Sequence, residues 1–200
     1  MSELSYNAPL AGVTAPAGLS ISIREIAERG MIDLRGLTSD AGFMAAVKGV
    51  LGVDLPVKPR TSASWGDVRV LWLSTDQWLV LSSRAKALEL LSNLRGALQG
   101  MHSLVVDVSD MRAIIRLEGE GCREVLMKGT SLDLLDKEYV QGCCRRMRYA
   151  EIAALLDVVE DNVFDIYVFR SFAHYTWNFL CATAKAPAKL KLFGAQDVPA

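Results

Sequence analysis

The chain repeats itself. Residues 19–98 read as strand, strand, helix, strand, strand, helix, and residues 104–184 read in the same order. Met31-Ile32-Asp33-Leu34-Arg35-Gly36 aligns with Ile114-Ile115-Arg116-Leu117-Glu118-Gly119, each followed by a short helical stretch. Trp78-Leu79-Val80-Leu81-Ser82-Ser83-Arg84-Ala85 aligns with Asp165-Ile166-Tyr167-Val168-Phe169-Arg170-Ser171-Phe172. Two similar halves can close on each other and share a core. The repeat therefore predicts an α+β fold of two ββαββα halves, with mainly antiparallel sheets and helices packed on them. The expected divisions are an arm (1–18), a first half (19–100), a second half (101–184) and a tail (185–200).

Local signals support the element order. Leu19 to Ile23 alternates apolar residues with Ser, the period of a half-buried strand. Thr38-Ser39-Asp40 offers a helix cap, Phe43, Met44, Val47, Val50 and Leu51 follow at helical spacing, and Gly52 stands where that helix should stop. Residues 53–64 hold two prolines and little periodicity, which predicts a loop. Ser74-Thr75-Asp76-Gln77 reads as a hairpin turn. Residues 84–98 read as a helix with Leu88, Leu91 and Leu94 on one stripe, and residues 145–159 read as extended. The arm is rich in Ala, Gly, Pro and Ser and should be ordered only where something covers it.

Several strands are apolar on both faces, as in Leu71-Trp72-Leu73 and Trp78-Leu79-Val80-Leu81. Neighbouring strand residues point to opposite sides, so both sides must leave water. The second half or another subunit has to cover what the helices do not. Mean hydropathy is +0.22, high for a soluble monomer, so the chain either buries an unusual share of itself or leaves apolar surface for a partner. Burying one exposed Trp or Leu contributes roughly 1.5–3 kcal/mol.

The chain has 22 basic and 23 acidic residues. That balance argues against a nucleic-acid partner, which needs a basic excess. No stretch is long enough for a membrane span, and the N-terminus lacks a signal-peptide pattern. Cys122, Cys143, Cys144 and Cys181 show no disulfide framework, so the expectation is a reducing, cytoplasmic setting.

Reactive constellations are scarce. His102 and His174 have no Cys, Asp or Glu at metal-ligand spacing, and Cys143-Cys144 on a strand would point apart. No nucleophile elbow, phosphate loop or dinucleotide motif occurs. No catalytic residue and no metal site is expected. The densest polar cluster runs from Asp107 through Ser109 and Asp110 to Arg112. A self-bonded hairpin is the stronger reading of it, and a carboxylate and a guanidinium presented to a ligand are the other. Arg145, Arg146 and Arg148 suit either a solvated strand edge or the rim of a subunit interface. Trp72, Trp78 and Trp177 suit the core, with Trp72 and Trp78 as candidate interface anchors.

Four pieces carry a family resemblance. They are Leu71-Trp72-Leu73-Ser74-Thr75-Asp76-Gln77-Trp78-Leu79, Val106-Asp107-Val108-Ser109-Asp110 with Arg112, the run 126–134 with Lys128-Gly129 and Leu132-Asp133-Leu134, and Phe164-Asp165-Ile166-Tyr167-Val168 through Arg170-Ser171-Phe172 to Trp177. In this order they resemble the gamma subunit of bacterial heterotetrameric sarcosine oxidase, over residues 65–180. The resemblance implies a complex of alpha, beta, gamma and delta chains. That complex oxidises sarcosine to glycine, with hydrogen peroxide and formaldehyde or methylene-tetrahydrofolate. It implies FAD, FMN, NAD, zinc and tetrahydrofolate in the partner subunits and no cofactor in this chain. It also implies a fold like the folate-binding domains of the glycine cleavage T-protein.

Three readings follow. The leading one is a non-catalytic structural subunit. The second is a folate-binding module, in which Asp107, Ser109, Asp110 and Arg112 would supply polar contacts to the folate. The third is an aminomethyltransferase like the T-protein, in which Asp107 or Asp110 would have to serve as acid or base.

Overall fold

The computed structural model describes residues 6–186. The first block contains β1 (Ser22–Glu25), β2 (Arg29–Arg35), α1 (Ala41–Leu51), β3 (Ser62–Trp65), β4 (Val68–Ser74), β5 (Gln77–Ser83) and α2 (Arg84–Ala97). The second contains β6 (Leu104–Asp107), β7 (Arg112–Glu118), α3 (Cys122–Met127), β8 (Cys144–Tyr149), β9 (Ile152–Glu160), β10 (Val163–Phe169), a 3-10 turn (Arg170–Phe172) and α4 (Ala173–Thr183). The repeat is thus present with one more strand per block than the sequence pattern suggests. β3 lies at the end of the segment read as a loop. β8 and β9 form a hairpin where one extended stretch was expected. Its two-residue turn is Ala150-Glu151, with Ala150 at φ 48, and no Gly or Asn marks it.

The strands form two five-stranded sheets, ordered β3-β4-β5-β2-β6 and β1-β7-β10-β9-β8. All pairings are antiparallel. The first strand of each block crosses to the other block's sheet. β1 pairs with β7, Ile23 opposite Leu117, and β6 pairs with β2, Val105 opposite Leu34. Each sheet is completed by its neighbour.

The pairing register also corrects one alignment. Met31 faces Leu81 and Ile114 faces Tyr167. With Met31 and Ile114 equivalent, Leu81 matches Tyr167 and Trp78 matches Phe164. The text match of Trp78 to Asp165 is one residue out. On a strand, a slip of one exchanges the two faces.

The sheets pack face to face through Met31, Leu71, Leu79 and Leu81 against Ile114, Leu155 and Tyr167. α1 and α2 cover the outer face of the first sheet, placing Phe43, Val47, Leu91 and Leu94 on Ile32, Leu34, Val70 and Trp78. α3 and α4 cover the second with Val125, Leu126, Trp177 and Leu180. The order is helix, sheet, sheet, helix, so the second block supplies the cover that two-faced strands require.

α1 starts and stops where expected. The Asp40 carboxylate accepts from the Phe43 N–H at 3.0 Å, and Gly52 takes the left-handed conformation at φ 72. The stripe of α2 differs from expectation. Ala87, Leu91 and Leu94 face inward, while Leu88 is 69% exposed. The reason is close approach. The helix lies so near β2 that a Cβ on Gly30 would sit 2.3 Å from the Ala87 Cβ, and only small residues fit there.

The body holds the arm around Leu10, while residues 14–18 are exposed. Leu10 is buried, and its N–H donates to the Glu25 carboxylate. Tyr6 stacks under Arg84, and Arg170 donates to the Asn7 carbonyl. The arm therefore touches both blocks. Of the expected tail, residues 187–200 lie outside the described residues.

Candidate functional site

The polar cluster of residues 107–112 is divided by the fold. Asp107 Oδ1 accepts from the Ser109 N–H at 2.9 Å and the Ser109 hydroxyl at 2.5 Å. Ser109 Oγ in turn accepts from the Met31 N–H. These bonds anchor the end of β6 to β2. Asp110 is exposed and pairs with Arg84 at 2.8 Å. Arg112 points elsewhere, into a cleft between the two sheets. The four residues do not converge on one cavity. Three are bonded to their own chain, as turn residues of this kind are.

Arg145 and Arg146 separate for a simpler reason. Consecutive strand residues face opposite ways. Arg145 turns to Glu138 and the Tyr139 hydroxyl, at 2.8 and 2.6 Å. Arg146 turns to Gln77 Oε1 at 3.1 Å. Arg148 is exposed and pairs with Glu151 in its own hairpin. Trp78 is fully buried, and its indole N–H donates to the Pro56 carbonyl at 2.8 Å. As an interface anchor it is corrected: α1 and α2 cover it, with Phe43 at 6.0 Å ring to ring. Trp72 is half-buried and lines a small cleft with Arg60, Cys144 and Arg146. Trp177 is in the core, as expected. Trp65, which no pattern singled out, is the most exposed aromatic side chain among the described residues, at 69%.

The reactive side-chain types are tied up in structure. All four cysteines are free and buried. Burial pushes the Cys122 and Cys144 thiols up to about 12, and raises those of Cys143 and Cys181. A thiol so protonated is a poor nucleophile. Among the described residues, no group of three or more His, Cys, Asp or Glu side chains is arranged to hold a metal. His102 lines a shallow surface cleft with Arg35, Leu37 and Asp76. His174 lies in the first turn of α4.

Sequence reasoning missed two arginine–carboxylate pairs with buried carboxylates. Asp157 on β9 is fully buried and takes a two-point bond from Arg69 on β4, with both distances 2.6 Å. Burial pushes the Asp157 carboxyl up, and the Arg69 guanidinium opposes that shift. Asp165 takes a similar bond from Arg116, its cross-strand partner, at 2.7 and 2.8 Å. The available signal was an acidic residue inside an apolar strand, as in Leu155-Leu156-Asp157-Val158 and Phe164-Asp165-Ile166. Such a residue needs a buried partner.

One cleft contains cations without a facing carboxylate. It opens at the end of the inter-sheet layer, has a volume of about 490 Å³, and is lined by Arg112, Arg146, Leu73, Ala153, Leu155 and Phe169. The Arg112 guanidinium lies 5.0 Å from the Phe169 ring, and its buried Nε has no hydrogen-bond partner among the described residues. Burial lowers its pKa from the ordinary arginine value, and the like charge of Arg146 adds to this. Gln77 donates to both oxygens of Asp33 at 2.9 Å, and so links Arg146 to one acidic group.

Comparison with known proteins agrees with this architecture. Residues 35–186 match the model of the sarcosine oxidase, gamma subunit family. The gamma subunit of sarcosine oxidase from Corynebacterium sp. (strain U-96) is 31% identical over 164 residues, 80% of this chain and 78% of that one. The one from Arthrobacter sp. is 32% identical over 146 residues, 72% of this chain and 69% of that one. A chain of the heterotetrameric sarcosine oxidase from Corynebacterium sp. U-96, solved in complex with pyrrole 2-carboxylate, superposes with a TM-score of 0.83. It is 25% identical, covering 92% of this chain and 97% of that one. The glycine cleavage system aminomethyltransferase T from Bartonella henselae shares the fold, with a TM-score of 0.64 and 14% identity over 82% of this chain and 46% of that one. By the family match and the level of identity, this chain belongs to the sarcosine oxidase gamma subunit family.

Proposed function

We propose that the chain is a non-catalytic structural subunit of a heterotetrameric sarcosine oxidase. One observation carries this reading: the superposition along nearly the whole length of a chain from the Corynebacterium heterotetramer. The local chemistry supports it. The buried carboxylates hold arginines between strands, and the cysteines are protonated core residues. In this proposal the partners are the alpha, beta and delta subunits. FAD, FMN, NAD, zinc and tetrahydrofolate reside in those partners, and the assembly works in the cytoplasm. The assembly demethylates sarcosine to glycine, with hydrogen peroxide and formaldehyde or methylene-tetrahydrofolate as the other products. No described helix is long and apolar enough to cross a membrane. The folate-module and aminomethyltransferase readings have less support, because Asp107, Ser109 and Asp110 are already bonded within the chain.

Co-expression with the flavin-bearing subunits tests the proposal. The chain is expected to elute with them in one flavin-coloured peak. Its elution alone, with the oxidase fully assembled and active without it, would overturn the reading.

A further inference from the structure

The repeat supplies an internal control for the Arg112 cleft. Arg29 on β2 and Arg112 on β7 are equivalent. Each lies two residues before an equivalent pair, Met31 and Ile114, and each faces the last residue of the next strand, Ser83 or Phe169. In the first block the charge of Arg29 is met by Asp67, whose carboxylate accepts from Arg29 at 3.1 Å and from the Ser83 N–H at 2.7 Å. Arg69 faces Leu81 and Leu155 faces Tyr167. Two residues before Arg69 stands Asp67, in the turn that leads into β4, and two residues before Leu155 stands Ala153, near the start of β9. The second block therefore has a methyl group where the first has a carboxylate, and Ala153 lines the cleft beside Arg112. Glu151, two residues earlier, turns away to Arg148.

We propose that the cleft at Arg112 and Arg146 is a binding site for a small organic monocarboxylate, whose carboxylate takes the place that Asp67 fills in the first block. Arg112 offers a buried, unpartnered Nε and a planar fork suited to two-point carboxylate binding. The charge count selects a monoanion. Arg112 and Arg146 contribute two positive charges, and Asp33, reached through Gln77, offsets one. The walls select an apolar body, since Leu73, Leu155, Ala153 and Phe169 line the rest. The volume falls in the range of small-molecule pockets, roughly 300–1,000 Å³.

The test is a titration of the full chain, and of the assembled complex, with 4-fluorobenzoate followed by fluorine NMR, with inorganic phosphate as the comparison. Saturable one-to-one binding of 4-fluorobenzoate is expected, tighter than that of phosphate. Arg112→Gln is expected to weaken it roughly tenfold or more, as loss of a charge-assisted bond does. Ala153→Asp rebuilds the first-block pair. It is expected to abolish binding and to raise the melting temperature of the ligand-free chain. Carboxylate sites elsewhere in a complex are common to the variants and the parent, so the difference between them isolates this cleft. No saturable binding, or binding that survives both substitutions, would overturn the proposal. So would binding to the free chain that vanishes in the complex, since that would make the natural occupant a partner's acidic side chain.

Discussion

Arg69 on β4 and Asp157 on β9 join the two sheets by a two-point bond, with both contacts at 2.6 Å and the carboxylate fully buried. Removing one partner strands the other charge. Asp157→Ala is expected to cost about 3–5 kcal/mol, whereas the double variant Arg69→Met with Asp157→Leu should cost far less or stabilise. Urea denaturation of the three chains checks this. Equal losses in the single and double variants would show that the charge pair is not the source.

The cysteines make stability fall in alkali. Cys122 and Cys144 keep their protons in the folded chain up to about 12, against the ordinary 9.0. Above pH 9 the unfolded chain binds fewer protons than the folded one. Their contribution is therefore complete below pH 9 and lost as the pH rises towards 12. The slope is about 1.4 kcal/mol per pH unit for each thiol. Replacing both with Ala should flatten the alkaline limb of a stability curve. At pH 8 the native chain should resist iodoacetamide and react only on unfolding.

Gly30 sets the distance between α2 and β2. A methyl group there meets Ala87, so Gly30→Ala is expected to destabilise by about 1–3 kcal/mol, the usual cost of overpacking. Adding Ala87→Gly should recover part of the loss, less the roughly 1 kcal/mol that Gly costs in a helix. A thermal melt of the single and double variants reads both effects.

Trp78 and Trp65 should behave oppositely. Trp78 is fully buried and bonded to Pro56, so Trp78→Ala is expected to cost about 3–5 kcal/mol. Trp65 is 69% exposed, and Trp65→Ala should stay within about 0.5 kcal/mol in the isolated chain. Intrinsic fluorescence during denaturation checks the pair.

The strand exchange predicts that neither block folds alone. A fragment of residues 101–186 lacks β1, which leaves the β7 edge unpaired and removes Ile21 and Ile23 from its core. That fragment, and one of residues 19–100, should show no cooperative transition by circular dichroism. The whole chain should unfold in one step.

Neighbouring residues carry local pattern, and local pattern was enough for the element order, the repeat and both ends of α1. A cap at Asp40, a stop at Gly52 and the turn after Ser74 each depend on contacts within a few positions. Where the signal was weak, as in polar β3 or the Ala150-Glu151 turn, elements were missed. Pairing between distant strands was not legible. Nothing in Ile23 announces Leu117, and a text alignment can slip by one residue at no cost on paper while exchanging both faces of a strand. The same holds for the Arg112 cleft. Its sequence neighbours Asp107, Ser109 and Asp110 bond elsewhere, while Arg146, Ala153 and Phe169 reach it from other strands. Short-range periodicity decides which segments are strands and helices. Only the packing of two sheets with exchanged edges decides which charges meet and which remain unpaired.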